Sequence, residues 1–518
     1  MYMSNELLIS EFKKHKAAVK QRIASAMADG QIIIGGDGIS DRKRKGIVSV
    51  LFTPDPVYVE TRVWPEKRHT ADNICKFFRR YMDKMGARNV VASVSDTVST
   101  MRAVWDLLPG TYPWLLIIPC AAHCFNLLFK YLIKHRALTP AANFCNSQSQ
   151  FWRSKAMPRA ILERIQVQEY GHTLHLQRAG FTRWTSTQLV AEALLRMQTA
   201  IQKTVVDDVI KNEVLKDKYM QARKAAADVA DMATSDSQWE ALQVLADLLR
   251  PIATALDKGP ANNSGMGSVF ASFFHLDKHF ATFKFPLNLL GTQLKAYCCA
   301  KLHQRRSYLL RHSHELACLL DPRVQDAADQ PTQVELQSAM ELMEKLASSE
   351  YNRKALVAAG ITSLDQLPAT YDTAVRDEVG GDYAKWRAKS GGSLQLPFVW
   401  EKSSVADALT WWKTWGSHIH SMQTVAVKLM SMPKSFAAGE RAFSNAGYIQ
   451  SVWRTKLSYA RLHLLLYIYF KYRLLPGMDV DAAAAALRSG GEDEQVSSDD
   501  EEGSVGSDGS LSDVQAMK

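Results

Sequence analysis

Two aspartates, Asp37 and Asp96, stand where carboxylates can carry out metal-dependent chemistry. Asp37 ends a short apolar run that starts at Gln31 and leads into a turn, and Asp96 ends the β-type run that starts at Asn89. Two carboxylates that share divalent cations support phosphoryl transfer, with metals about 3.5–4 Å apart that activate the attacking oxygen and stabilise the leaving one. Mg²⁺ or Mn²⁺ suits such hard oxygen ligands. The alternative is that each aspartate caps the turn or helix that follows it.

Cys120, His123 and Cys124 are spaced i, i+3, i+4 and therefore share one stripe of a predicted helix. A zinc site needs a fourth ligand at regular spacing, and no nearby Cys-x-x-Cys or His-x-x-x-His pair supplies one. We therefore expect no zinc and assign both cysteines to the core.

Net charge separates a basic body from an acidic tail. Residues 490–518 hold nine acids and one base, a charge of −8, so the other 489 residues carry +18 of the total of +10. Because Lys and Arg that neutralise phosphates supply most non-specific nucleic-acid affinity, DNA is a candidate partner. The basic run Arg42, Lys43, Arg44 and Lys45 directly follows the first aspartate. It is a phosphate clamp, a nuclear localisation signal or a solvated hairpin tip.

Composition excludes several classes of protein. The 518 residues are 47% hydrophobic and 22% charged, which excludes collagen, a wholly disordered chain and a disulfide scaffold. The longest apolar runs, at Trp114 and Leu464, are much shorter than the ~20 residues of a membrane span, so no membrane partner is expected. Seven cysteines without a regular framework fit a reducing compartment.

The elements that must position the aspartates follow the order β-β-β-α-β-α-β-α. Strand-type runs start at Gln31, Gly46, Val57, Asn89 and Leu115, and Thr70 caps a helix with apolar residues at i, i+3, i+4, i+7, i+8 and i+11 that Gly86 ends. A three-strand meander followed by βα units is the order of an RNase H-like fold, an α/β mixed sheet flanked by helices. Its first and fourth strands are neighbours, which would place Asp37 beside Asp96.

The remaining sequence divides into segments of different character. We expect an N-terminal helical linker over residues 1–29, the first part of the RNase H-like core over 30–145 and a large α-helical insertion over 146–404. Residues 405–478 resume a helical pattern, and 479–518 form a Ser/Gly/Asp/Glu-rich acidic tail that is expected to be disordered.

Several stretches, in this order along residues 30–475, resemble the motifs of hobo/Activator-type (hAT) transposases. They are Gly36-Asp37-Gly38-Ile39-Ser40, residues 94–100, Pro119-Cys120-Ala121-Ala122-His123, Thr182-Arg183-Trp184-Thr185-Ser186, Leu320-Asp321-Pro322-Arg323 and residues 411–475, which include Gly439-Glu440-Arg441. The resemblance implies a DDE-type nuclease and strand transferase on an RNase H-like core that a helical domain interrupts. Asp37, Asp96 and Glu440 match its three catalytic, metal-binding carboxylates, and Mg²⁺ or Mn²⁺ would be the cofactor.

The resemblance also implies binding residues and partners. Arg183 and Trp184 match positions that hold flanking DNA and a flipped base, and His123 matches one that contacts DNA or orients a carboxylate. A buried tryptophan beside an ion-paired arginine remains the alternative for the pair. The helix at 462–470 is apolar on nearly every side and falls in the family's dimerisation region. The residues expected to form the dimer are Leu462, Leu465, Leu466 and Tyr469.

The expected function is therefore that of a nuclear hAT-type transposase that acts on DNA as a homodimer or higher oligomer, without a small-molecule substrate. No Cys-x₂-Cys…His-x₃₋₅-His pattern precedes residue 30, so the family's N-terminal BED zinc finger is expected to be missing. Two alternatives stay open. One is a domesticated or decayed relative that binds DNA and dimerises without cleavage, and the other is an RNase H-like ribonuclease.

Overall fold

The chain is described by a computed structural model, in which the following residues are placed: 32–40, 46–53, 57–63, 70–112, 114–176, 186–214, 220–257, 265–287, 289–324, 336–348, 370–401 and 407–433, with residues 435 and 464–465 and a few isolated residues before residue 25. None of the helices in these ranges combines the length and the apolar character that a membrane span requires.

Five strands form one sheet near the beginning of the chain. They are β1 (Ile32–Ser40), β2 (Gly46–Thr53), β3 (Val57–Val63), β4 (Val90–Ser95) and β5 (Leu116–Pro119). Their order in the sheet is β3-β2-β1-β4-β5, and both β1–β2 and β2–β3 pair antiparallel. The predicted order of strands and helices and the α/β class are confirmed.

Strand β1 differs from its prediction in one respect that concerns Asp37. The sequence predicts a turn at this residue, but β1 continues to Ser40 and Asp37 pairs with Ser49 of β2. The glycines on both sides of Asp37 are typical of a turn. The antiparallel ladder, which extends to the pair Ser40 and Gly46, outweighs this local preference. Asp37 therefore lies within a strand rather than at its end.

Helix α1 (Ala71–Lys84) begins and ends where the sequence predicts. The Thr70 hydroxyl accepts a hydrogen bond from the backbone N–H of Asn73 at 3.4 Å, and Gly86 follows the helix with φ 70°. The six apolar residues of the predicted stripe are all buried: Ile74, Phe77, Phe78, Tyr81, Met82 and Met85. Phe78 lies so close to β1 that a Cβ on Gly36 would overlap its ring, so the strand needs glycine there.

Further helices follow in chain order. They are α2 (Ser99–Thr111), α3 (Ala121–Ile133), α4 (Thr139–Ser154), α5 (Ala156–Tyr170), α6 (Ser186–Val205), α7 (Met220–Thr234), α8 (Asp236–Asp257), α9 (Gly267–Thr282), α10 (Leu289–Leu309), α11 (His312–Leu319), α12 (Thr370–Arg387), α13 (Ala408–Trp415) and α14 (His420–Met430). Residues 336–348 are also helical. The described residues between 146 and 404 contain no strand, which agrees with the predicted helical pattern.

The chain divides into two compact units. One unit holds Met1–Val94, Thr100–Leu116 and Ala438–Lys518, and the other holds Ser95–Ser99 and Ile117–Ala437. Helix α4 runs across residues 145 and 146, the boundary that the sequence predicts for the start of the helical insertion.

Tryptophans form a core cluster near the end of the second unit. Trp386 stacks on Trp412 with ring centroids 4.7 Å apart, and Trp411 packs edge-on against Trp412 at 5.3 Å. The indole N–H of Trp412 donates to the Leu320 carbonyl at 2.7 Å, and Arg323 forms an ion pair with buried Asp321 at 2.6 Å. Residues 320–323 form one of the stretches that resemble hAT motifs. Their contacts give them a structural role, because they join α11 to α13.

Candidate functional site

Asp96 lies directly after β4, in the short connection to α2. Its side chain is 8% exposed, and its Oδ1 atom accepts a hydrogen bond from the backbone N–H of Val98 at 3.4 Å. The backbone of the connection is held to β5, because the N–H of Cys120 donates to the Ser95 carbonyl at 2.8 Å. The capping interpretation of Asp96 is thus partly correct, since the carboxylate orders the turn before α2.

The residue after Asp96 adds an oxygen that is compatible with a hard cation. The hydroxyl group of Thr97 is buried and has no hydrogen-bond partner within the described part of the chain. A buried hydroxyl without a partner is costly and is normally satisfied by water or by a ligand. A carboxylate followed by a free hydroxyl offers only oxygen atoms, which are the ligands that Mg²⁺ prefers. The donor chemistry therefore fits the expected metal.

Helix α3 begins beside this connection, and Cys120 is its N-cap. The Cys120 sulfur accepts a hydrogen bond from the backbone N–H of His123 at 3.5 Å, while the Cys124 thiol donates to the Arg305 carbonyl at 3.5 Å. Both cysteines are fully buried, as predicted. Burial raises the pKa of Cys124 to about 12, so its thiol keeps its proton at neutral pH.

His123 is half-buried on the same helix. Burial lowers its pKa to about 4, and the nearby cations Lys130 and Arg305 act in the same direction. The imidazole ring is therefore neutral at pH 7. In that state it can donate or accept a hydrogen bond but offers no charge to a phosphate. A neutral ring is compatible with either of the two roles that the resemblance implies for His123, contact with DNA or orientation of a carboxylate.

Helix α10 packs against α3 and contributes cations that the sequence analysis did not single out. The Tyr131 ring on α3 has the Lys301 ammonium 5.1 Å from its centroid, and the Arg305 guanidinium carbon also lies at 5.1 Å. The sequence does contain a signal for these cations, because α10 has no Asp or Glu and carries one stripe of aromatic and basic residues: Tyr297, Lys301, Arg305 and Tyr308. Its partner on α3 is far away in sequence, so the contact itself was not predictable.

The other predicted site residues have mixed outcomes. Asp37 lies in β1, the strand next to β4 in the sheet, although its side chain is not among the described ones. Leu465 is helical and half-buried. The following predictions fall outside the described residues: Glu440, Arg183, Trp184, Arg42, Lys43, Arg44, Lys45, Leu462, Leu466 and Tyr469. Within the described part of the chain no three His, Cys, Asp or Glu side chains come together as a metal-binding group.

Two family models match the chain. Residues 2–143 match the domain of unknown function DUF659, and residues 394–474 match the hAT family C-terminal dimerisation region. No curated protein matches the chain. The first match covers the sheet with α1, α2 and α3, and the second begins after α12 and includes α13 and α14. The C-terminal match is to a region of transposases. Together the two matches support a relationship of this chain to the hAT-type transposase family.

Proposed function

We propose that the protein is a DNA transposase that cleaves at transposon ends and joins the freed 3′-OH to target DNA. The observation that carries this proposal is the position of Asp96. It is a buried carboxylate directly after β4, and β4 is the neighbour of the strand that contains Asp37. Two carboxylates on adjacent strands can approach a single substrate phosphate, and the strand order supports this arrangement.

We propose further that the core is RNase H-like and that Glu440 completes the catalytic group. The strand order β3-β2-β1-β4-β5 and the antiparallel pairing of the first three strands support this fold. Asp37, Asp96 and Glu440 would hold Mg²⁺ or Mn²⁺, and the bound metals would activate the attacking oxygen and stabilise the leaving one. The protein's own contribution is to fix the carboxylates, and the hydrogen bond from Val98 holds Asp96 for that purpose.

Binding of DNA and a nuclear location belong to the same proposal. Arg183 and Trp184 would hold flanking DNA, because an arginine fork pairs with phosphate and an indole stacks on an unpaired base. The run Arg42, Lys43, Arg44 and Lys45 would contact phosphates or direct the protein to the nucleus. The basic body of the chain supports both, since it carries +18 outside the acidic tail of residues 490–518.

Nicking of a supercoiled plasmid in Mn²⁺ tests the catalytic proposal. The full-length protein is expected to nick, and Asp96→Asn and Glu440→Gln are expected to lose at least about 100-fold in rate, because each removes one anionic ligand. Asp106→Asn makes the same isosteric change at an exposed position on α2 and serves as the matched control. Thermal unfolding of each variant establishes that the loss is not caused by misfolding.

Each other outcome points to a different function. Nicking that Asp96→Asn retains would contradict the proposed site. If no variant and no metal gives cleavage while the protein still dimerises and binds DNA, the domesticated, non-catalytic relative is the correct alternative. Cleavage of an RNA–DNA hybrid in preference to DNA would instead support the ribonuclease.

A further inference from the structure

Helices α3 and α10, which pack against each other, contain basic but no acidic residues. Their 13 and 21 residues contain no Asp or Glu, and they contain five Lys or Arg. Where charges serve only solubility, both signs are usually interspersed. A layer of one sign is instead typical of a surface that binds an anion.

Aromatic rings and cations alternate along one stripe of this helix pair. Tyr297, Lys301, Arg305 and Tyr308 follow each other at i, i+4, i+8 and i+11 on α10, and Tyr131 of α3 contacts both cations. The Arg305 guanidinium also lies 5.2 Å from the ring centroid of Tyr308, and the Lys301 ammonium lies 5.5 Å from that of Tyr297. We call these five residues the Tyr131 seam.

Arg305 is the unusual member of the Tyr131 seam. Its side chain is buried with 6% exposure, and within the described residues its Nε has no hydrogen-bond partner and no carboxylate forms an ion pair with it. The next residue, Arg306, is less buried and has an ion pair with Asp277 at 3.4 Å. Burying a charge without a counter-charge is expensive. The rings of Tyr131 and Tyr308 offset only part of this cost, which leaves Arg305 prepared for an anion from outside the chain.

A further cation, Lys130, lies on the same helix as Tyr131. Burial is the main cause of the lowered pKa of His123, and Lys130 and Arg305 both act in the same direction by disfavouring its protonated form. An anion bound between α3 and α10 would meet the combined field of Lys130, Lys301 and Arg305.

The dimensions of the Tyr131 seam favour an extended anion. From Tyr297 to Tyr308 the helix rises about 16 Å, whereas one strand of DNA carries a phosphate every ~3.4 Å along its axis. Several successive phosphates can therefore lie along the stripe. Cations interleaved with aromatic rings are also the arrangement by which proteins follow a nucleic-acid backbone without reading its sequence.

We propose that the Tyr131 seam is a binding site for the DNA phosphate backbone, in which Arg305 and Lys301 donate to phosphate oxygens and Tyr131 holds both cations in position. This inference rests on the proposed function only in its choice of DNA as the anion. It does not require that the protein cleave DNA.

Binding of the full-length protein to a fluorescein-labelled DNA duplex, measured by anisotropy over a series of KCl concentrations, tests this site. Arg305→Met and Lys301→Gln are each expected to weaken binding about tenfold and to reduce the slope of log K against log salt by about one. Lys295→Gln removes the same charge from an exposed position of α10 that is not on the stripe, and is expected to bind nearly as wild type.

Thermal unfolding separates binding from a structural role. Arg305→Met is expected to keep or raise the unfolding temperature while it weakens binding, because it replaces a buried unpaired charge by an apolar side chain of similar length. A lowered unfolding temperature of Arg305→Met together with unchanged binding by Lys301→Gln would overturn the proposal. At Tyr131, phenylalanine is expected to retain binding and leucine to lose it, since only the aromatic ring holds the cations.

The remaining outcomes distinguish this site from the catalytic proposal. Wild-type affinity in both Arg305→Met and Lys301→Gln overturns the site, even if the plasmid is nicked. Weakened binding in both supports the site, even if no variant nicks. If the two substitutions weaken binding to an RNA duplex of the same sequence but not to DNA, the choice of DNA is wrong and the proposal fails.

Discussion

His314 on α11 sets part of the pH dependence of stability. The side chain is fully buried, and its Nδ1 accepts a hydrogen bond from the backbone N–H of Arg311 at 3.3 Å. Burial lowers the pKa of His314 to about 4, and the Arg311 cation acts in the same direction. The folded protein therefore holds a neutral imidazole here under conditions in which the unfolded chain already binds a proton.

The sign of the effect follows from this difference in proton binding. Between about pH 6.5 and about pH 4 the unfolded state binds one more proton at His314 than the folded state, so the free energy of unfolding falls as pH falls. The loss is about 2 kcal/mol between about pH 7.5 and about pH 5. In urea denaturation at these two pH values, His314→Gln is expected to lose this part of the pH dependence.

A neighbouring histidine gives the control for this prediction. His312→Gln makes the same change at an exposed histidine on the same helix, 63% accessible and 2.9 Å from Glu315, and controls for the loss of an imidazole that is not buried. Equal pH dependence in wild type and His314→Gln would show that His314 is protonated in the folded state.

At the scale of elements, the packing of β1 against α1 depends on Gly36. The residue pairs with Val50 of β2, and the Phe78 ring occupies the space that its Cβ would need. Gly36→Ala is therefore expected to lower the free energy of unfolding by about 1–3 kcal/mol, because the buried ring or the strand must shift. Chemical denaturation of the purified protein measures this difference.

Gly110 provides the matched substitution. It lies in α2, and a Cβ added there would have no described atom within 4 Å, so Gly110→Ala meets open space. It is expected to be neutral or to stabilise the helix by up to about 1 kcal/mol. If Gly36→Ala were as stable as Gly110→Ala, the close approach of Phe78 to β1 would be wrong.

The same two elements show how far sequence reasoning reaches. Helix α1 could be predicted with its cap and buried face, because its apolar spacing, Thr70 and Gly86 are all local signals. The end of β1 could not, since Asp37 between two glycines is typical of a turn and only pairing with β2 extends the strand. Local signals fail where a distant partner decides the structure.

In the candidate site, too, local features could be predicted from the sequence and contacts with distant residues could not. Asp96 could be placed after a strand and before a helix from sequence alone, and its burial agrees with that placement. The role of Arg305 could not, because the Tyr131 ring is 174 positions earlier in the chain and no local pattern joins them. A search for helices that lack acids and alternate Tyr with Lys or Arg would have found α10, but not the helix against which it packs.

At the scale of the whole molecule, the C-terminal family match makes association of two chains the central expectation. Residues 394–474 match the hAT dimerisation region, and Leu465 within it is helical and half-buried in the single chain. A leucine that is half-buried in one subunit and becomes fully buried in a dimer contributes apolar area from each copy. In a two-fold symmetric interface every substitution acts twice.

Leu465→Arg is therefore expected to convert the dimer into a monomer. Each copy loses about 1.5–3 kcal/mol of apolar burial and would bring an unpaired charge into the interface, so the dimer dissociation constant should rise by at least about 100-fold. Light scattering after size exclusion gives the mass of wild type and variant.

Leu287→Arg, at a fully exposed leucine, introduces the same side chain and should leave the dimer intact. A Leu465→Arg protein that still elutes with the mass of two chains would show that the self-associating surface excludes Leu465, whether or not the protein cleaves DNA.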